Sequence, residues 1–184
     1  MPPSNFSAPS IDYALLGFLL PKPMHGYELH QVIQKTPGLD RVWTIKQALL
    51  YAKLEKLEKA GLIFHTVEPS PTLSPPRKYF HITEAGKTAF DGWVGQPVQK
   101  SRFMRQEFLA KLILVRQHQP DRLPEVLARQ IEATEDWVRR LEQDLNQRGA
   151  PDAIEDQLVS SFRLLQDRAV LEWLHQTQQA LITN

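Results

Sequence analysis

Between Leu49 and Ile63 the apolar positions Leu50, Leu54 and Leu57 keep the spacing of one helix face. Gln47, Tyr51, Glu55 and Glu58 lie about a quarter-turn away, and Lys53, Lys56 and Lys59 line the other flank. The pattern predicts a helix from Ile45 or Lys46 to Ala60, with Thr44 as N-cap and Gly61 as the left-handed residue that ends it. Upstream, Ser10 is placed to cap a first helix reaching about Leu20, and "PKPMHG" (21–26) interrupts it. A second helix over 27–36 turns Leu29, Val32 and Ile33 inward. After Gly61 the rhythm changes. "LIFHTVE" (62–68) and "RKYFHIT" (77–83) read as strands, the second with Phe80 and Ile82 on one side and Tyr79 and His81 on the other. "PSPTLSPP" (69–76), with four prolines, joins them as a hairpin tip. Thr83 then caps a helix over 83–94.

Past residue 100 no segment reads as strand. The stretch 102–118 stacks Met104, Phe108, Leu112 and Val115 as a helix. A longer helix over 120–149 starts at a capping Asp121, with Pro124 tolerable in its first turn. It carries two heptad columns, Leu127, Thr134, Leu141 and Ile131, Val138, Leu145, which require another helix against them. Asp152 with Glu155 has the spacing of a capping box. The last helix, about 153–181, places Leu158, Phe162, Leu165 and Ala169 on one face and Trp173 and Leu174 near its end.

Three short helices, a hairpin and a further helix are the plan of a winged helix-turn-helix, in which the third helix enters the major groove and the hairpin lies along the backbone or minor groove. The expected fold is mostly α with one small β-hairpin. Residues 1–9 form a loose terminus, 10–98 the winged-helix domain, and 99–184 a helical domain for dimerisation and effector binding.

Composition narrows the function. The 184 residues include no cysteine, which excludes disulfides, thiolate metal sites and cysteine nucleophiles and fits a reducing compartment. The longest apolar run, "YALLGFLL" (13–20), is too short to span a bilayer and lacks the flanks of a secretory signal, so a cytoplasmic protein with no membrane partner is expected. Net charge is only +1, yet residues 1–100 hold 11 Lys and Arg against 8 Asp and Glu, and residues 101–184 hold 11 against 13. Nine of the ten lysines fall in the first part. This balance suits a basic module followed by a mixed-charge helical one. None of the six histidines forms a helical metal pair with a carboxylate, and no G-x-S-x-G, phosphate-loop or dinucleotide glycine pattern occurs. Neither an enzyme nor a cofactor or metal is expected.

The quoted helix belongs to a set. "HGYEL" (25–29), "LLYAKLEKLEKAGLI" (49–63), "PPRKYFHITEAGKTAF" (75–90) and "RFMRQEFLAKLIL" (102–114) together resemble the PadR family of transcriptional regulators, over about residues 10–115. The C-terminal helices resemble it in layout. The resemblance implies a DNA-binding winged helix, a homodimer made through the helical region, and repression relieved by a small molecule. An inverted-repeat operator in double-stranded DNA is the expected partner. A winged-helix module that binds a protein and no DNA is the alternative.

Within that frame Tyr51 matches the family's tyrosine and offers a phenol to a phosphate. Thr44, Lys46 and Gln47 stand at the groove-facing helix start, where Gln can pair with adenine and Lys with guanine. Lys53 further along, Arg77 and Lys78 on the second wing strand, and Tyr27 at the start of the second helix suit phosphates. Leu127, Ile131, Val138, Leu141, Leu145, Phe162 and Leu165 are the expected dimer contacts. Trp93, Phe108 and Trp137 are candidates for an apolar or aromatic effector pocket between the winged domain and the long helices. One departure stands out. Family members often carry small polar residues just before the tyrosine, whereas Ala48, Leu49 and Leu50 offer few hydrogen bonds to bases.

Overall fold

The computed structural model describes residues 11–69, 76–148 and 154–183. Ser10, the proline-rich tip at 70–75 and Asp152 lie outside them, and with them the caps and turn expected there. The chain forms two compact units, one holding the residues up to Val94 together with Gln106–Pro120, the other Gly95–Arg105 together with the chain from Asp121 on.

The first unit contains helix α1 (Ile11–Phe18), the two-residue strand β1 (Met24–His25), α2 (Gly26–Lys35), α3 (Gln47–Lys59), strands β2 (Ile63–Glu68) and β3 (Arg77–Ile82), α4 (Glu84–Gly95) and α5 (Leu109–His118). The two longer strands form the expected hairpin, antiparallel from Ile63 opposite Ile82 to Glu68 opposite Arg77. β1 adds itself to the other side of β3, Met24 facing Phe80 and His25 facing Tyr79, so the sheet order is β1-β3-β2. The stretch "PKPMHG" was expected only to break a helix. Two residues are too few for a periodic signal, and β3 recruits them by backbone pairing.

Leu50, Leu54 and Leu57 are buried, as their spacing requires, with Leu15, Leu29, Ile33 and Phe90. Burial of each such side chain is worth about 1.5–3 kcal/mol. α3 ends in a Schellman motif. Gly61 has φ 70°, its N–H donates to Glu58 O at 2.9 Å, and Leu62 N–H donates to Leu57 O at 3.0 Å. Thr83 caps α4, its hydroxyl oxygen accepting from Gly86 N at 3.0 Å. The start of α3 departs from expectation. Helix begins at Gln47, Lys46 is the N-cap residue without a side-chain cap bond, and Thr44 lies exposed before it. The approach to α3 is held instead by His30, whose Nε2 is 2.8 Å from Ile45 O.

The helix over Leu109–His118, assigned by sequence to the C-terminal domain, packs inside the first unit. A β-carbon at Gly17 of α1 would meet the Phe90 ring at 2.6 Å and Leu114 Cδ1 at 3.1 Å. The glycine therefore lets α4 and α5 close onto α1. A buried polar cluster lies beside this contact. Lys111 Nζ is 2.9 Å from Glu107 Oε1 and 5.1 Å from the Trp93 ring centroid, and Trp93 Nε1–H donates to Glu107 Oε1 at 3.2 Å. Burial pushes the Lys111 ammonium down from its ordinary value, and Glu107 partly offsets that.

The second unit is built on α6 (Leu123–Arg148) and α7 (Ile154–Thr183), with a 3-10 turn at Ser101–Phe103. The two long helices pack on each other within one chain. Leu127, Ile131, Thr134 and Leu141 of α6 are buried, and Val138 and Leu145 are half-buried. The heptad seam expected to need a second copy is thus largely covered inside the unit. Thr134 fits in a column of leucines because its hydroxyl donates to Gln130 O at 2.8 Å. Gln130, also buried, accepts from Val98 N at 2.8 Å. α7 buries Asp167 and Leu174, while Ile154, Leu158, Val159, Phe162 and Leu165 stand exposed. Phe162 is 66% and Leu165 67% exposed. Among the described residues no helix is long and apolar enough to cross a membrane.

Candidate nucleic-acid interface

The first unit presents α3, the entry to α2 and the paired wing strands. Tyr51 of α3 lies against the backbone of Gly26. A β-carbon there would sit 2.5–2.7 Å from the ring atoms Cε1 and Cζ and from the phenol oxygen. Glycine in "HGYEL" therefore makes room for the tyrosine of "LLY", which joins two motifs 25 positions apart in the chain. His25 fixes this corner. Its Nδ1 accepts from Glu28 N at 3.1 Å, capping α2, and its ring packs edge-on to Tyr79 at 5.6 Å and parallel to Tyr27 at 6.4 Å. Tyr27 and Tyr51 stay exposed, at 54% and 43%.

Thr44, Lys46 and Gln47 are exposed at the α3 start, and Arg77 and Lys78 are exposed on the wing. Lys46, Arg77 and Lys78 make no ion pair among the described residues. Of the eight residues expected to meet nucleic acid, only Lys53 is committed elsewhere. Its ammonium lies 2.5 Å from Asp12 Oδ1, its side chain is 21% exposed, and Lys56 Nζ takes Asp12 Oδ2 at 2.8 Å. Burial alone would raise the Asp12 carboxyl. The hydrogen bonds and charges of the two lysines outweigh it and hold the carboxyl below its ordinary value. Lys53 thus ties α3 to α1 and brings little free charge to the surface.

Sequence reasoning missed His25 and Tyr79 in this corner. It weighed the histidines as metal ligands, and their cap and stacking roles depend on the β1–β3 pairing. Among the described residues no group of three or more His, Asp and Glu could hold a metal.

The effector candidates separate. Trp93 and Phe108 are buried in the first unit. Trp137 lines a cleft of about 860 Å³ in the second unit, with Lys100, Arg140, Arg163 and Asp167 among its walls. Asp167 is 6% exposed, and its Oδ1 has no hydrogen-bond partner among the described residues. The cleft is aromatic on the Trp137 side and charged elsewhere, and it lies within the second unit, where an apolar or aromatic pocket bordered by the winged domain was expected.

Residues 15–92 match the model of the Transcriptional regulator PadR-like family. Similar solved structures include Bacillus subtilis PadR in complex with operator DNA, 19% identical, covering 92% of this chain and 98% of that one with a TM-score of 0.44. The same protein in complex with p-coumaric acid is 20% identical over 92% and 97%, TM-score 0.40. The PadR-like regulator BC1756 from Bacillus cereus is 20% identical over 97% and 99%, TM-score 0.43. No curated protein matches. The match spans α2, α3 and the wing, the elements that carry the tyrosine corner and the exposed cations, and residues 15–92 thus form a domain of the PadR-like family of transcriptional regulators.

Proposed function

We propose that the protein is a homodimeric repressor that occupies an inverted-repeat operator and releases it when a small effector binds. The observation that carries the dimer is the α7 stripe of Leu158, Phe162, Leu165 and Ala169, which α6 leaves exposed. A contiguous apolar stripe on a soluble helix favours association, and a twofold axis passing beside α7 pairs the stripe with its copy. Two copies then present two α3 helices to successive major grooves, with Lys46, Gln47 and Tyr51 at the bases and nearby phosphates and Arg77 and Lys78 beside the backbone. A dimer seated over a promoter excludes polymerase, which is repression by occupancy.

The effector reading rests on the Trp137 cleft. Its indole offers a stacking wall, and Arg140 and Arg163 offer charge to an acid group. An aromatic anion fits this lining better than a neutral apolar compound. Release requires only that the ligand prefer the DNA-free state, and about 1.4 kcal/mol of preference gives a tenfold loss of operator affinity.

Gel-shift titration of the DNA upstream of the protein's own gene tests the reading. Neutralisation of about 6–10 phosphates should cost roughly 10³–10⁵ in affinity between 50 and 200 mM salt. In-vitro transcription from the same fragment should fall as protein is added. Binding that ignores salt, or transcription that rises, contradicts the proposal.

A further inference from the structure

Over its first two turns the outward face of α3 is apolar where a base-reading helix usually carries hydrogen-bonding groups; Glu55, Lys56 and Lys59 follow on that face toward its end. At about 100° per residue, Ala48 and Ala52 stand opposite the buried row of Leu50, Leu54 and Leu57, with Leu49 beside them. All three are exposed, Leu49 by 49%. The polar groups of the first two turns lie to the sides. Gln47 and Tyr51 take one flank, and Lys53 on the other is held by Asp12. A helix that enters the major groove along this face therefore meets the base edges with methyl and isobutyl groups. Their complement on the floor of that groove is the C5-methyl of thymine. The two alanines keep the helix thin enough for close approach, and Leu49 is long enough to reach a base from the flank.

We infer that Leu49 is a specificity-determining residue that selects thymine in each half-site by covering its C5-methyl group, with Ala48 and Ala52 allowing the approach. The inference rests on the reading that α3 enters the major groove. It explains how "KQALLY" selects sequence without side-chain hydrogen bonds at positions 48–50: Gln47 and Lys46 read neighbouring bases, and Leu49 reads a methyl group.

The test uses the full-length protein and an operator obtained by selection from random duplex DNA. Each half-site thymine is replaced in turn by deoxyuridine, which lacks the methyl group and keeps every hydrogen-bonding atom. At one thymine per half-site the wild type should lose about fourfold in affinity, the ratio expected for one buried methyl. Replacing that thymine in both half-sites should cost about fifteenfold. Leu49→Ser, a surface substitution, should bind the thymine and deoxyuridine operators equally. Circular dichroism and sedimentation of Leu49→Ser should match the wild type. Equal wild-type affinity for all the operators overturns the inference and leaves DNA binding standing, as does a methyl preference that survives in Leu49→Ser. Failure to select any sequence overturns the groove-entry reading and the inference with it.

Discussion

Gly26→Ala is the sharpest perturbation of the tyrosine corner. The added β-carbon would meet Tyr51 ring atoms at 2.5–2.7 Å, where carbon contacts prefer about 3.5–4.0 Å. The ring must therefore move by about 1 Å or more. The clash falls on the far end of an exposed side chain, so the phenol can swing into solvent without disturbing Leu50 or Leu54. Alanine in place of glycine at a helix start also favours the helix by up to about 1 kcal/mol. Thermal stability should stay level or rise slightly. A phenol–phosphate hydrogen bond is worth about 1.5–3 kcal/mol as a bond to a charged group, so operator affinity should fall roughly ten- to hundredfold per displaced tyrosine. Fluorescence anisotropy on a labelled operator, with circular-dichroism melts alongside, reads both quantities. Tyr51→Phe should reproduce most of the loss, and adding Gly26→Ala to it should cost little more. Wild-type affinity in Gly26→Ala would refute the argument that the glycine positions the phenol. So would an equal further loss when the two changes are combined.

The other expectations concern charge and assembly. Asp12→Asn removes a carboxylate held below its ordinary value by Lys53 and Lys56; its stabilising effect is present above the ordinary aspartate range and lost as pH falls through the lowered value. Urea melts should therefore show wild type ahead of the variant at neutral pH and the two converging below about pH 4, while the released lysines raise low-salt affinity for non-specific DNA. Lys111→Met strands the Glu107 carboxylate and should cost about 3–5 kcal/mol of stability, most of it recovered in Glu107→Gln/Lys111→Met, where the amide still accepts from Trp93. Phe162→Asp with Leu165→Asp changes exposed positions, so sedimentation should show folded monomers with weakened operator binding; a dimer of unchanged affinity would remove α7 from the interface.

The legible parts of the fold were those decided locally. Leu50, Leu54 and Leu57 announce a buried face by spacing, Gly61 an αL stop, and Thr83 a cap, because each acts within one turn of itself. Contacts distant in sequence were not legible. Lys53 reads as a free cation until Asp12, 41 positions away, lies beside it. The α6 heptads require a covering helix but cannot say whether α7 of the same chain or a second copy supplies it. The Gly26–Tyr51 contact was present only as two separate motifs, and only packing shows why one needs the other. Leu49 drew notice for its lack of hydrogen-bonding capacity, and its exposure on the folded helix gives that lack a chemical meaning.

The central claim is that two copies of the α3–wing surface address DNA together. Selection of the full-length protein on random duplex DNA, followed by sequencing of the bound fraction, tests it most directly. The account expects an enriched inverted repeat with half-site centres one helical turn apart, about 34–36 Å, or a multiple of it. A bound pool without enriched sequence, or with a single unpaired site, would contradict it.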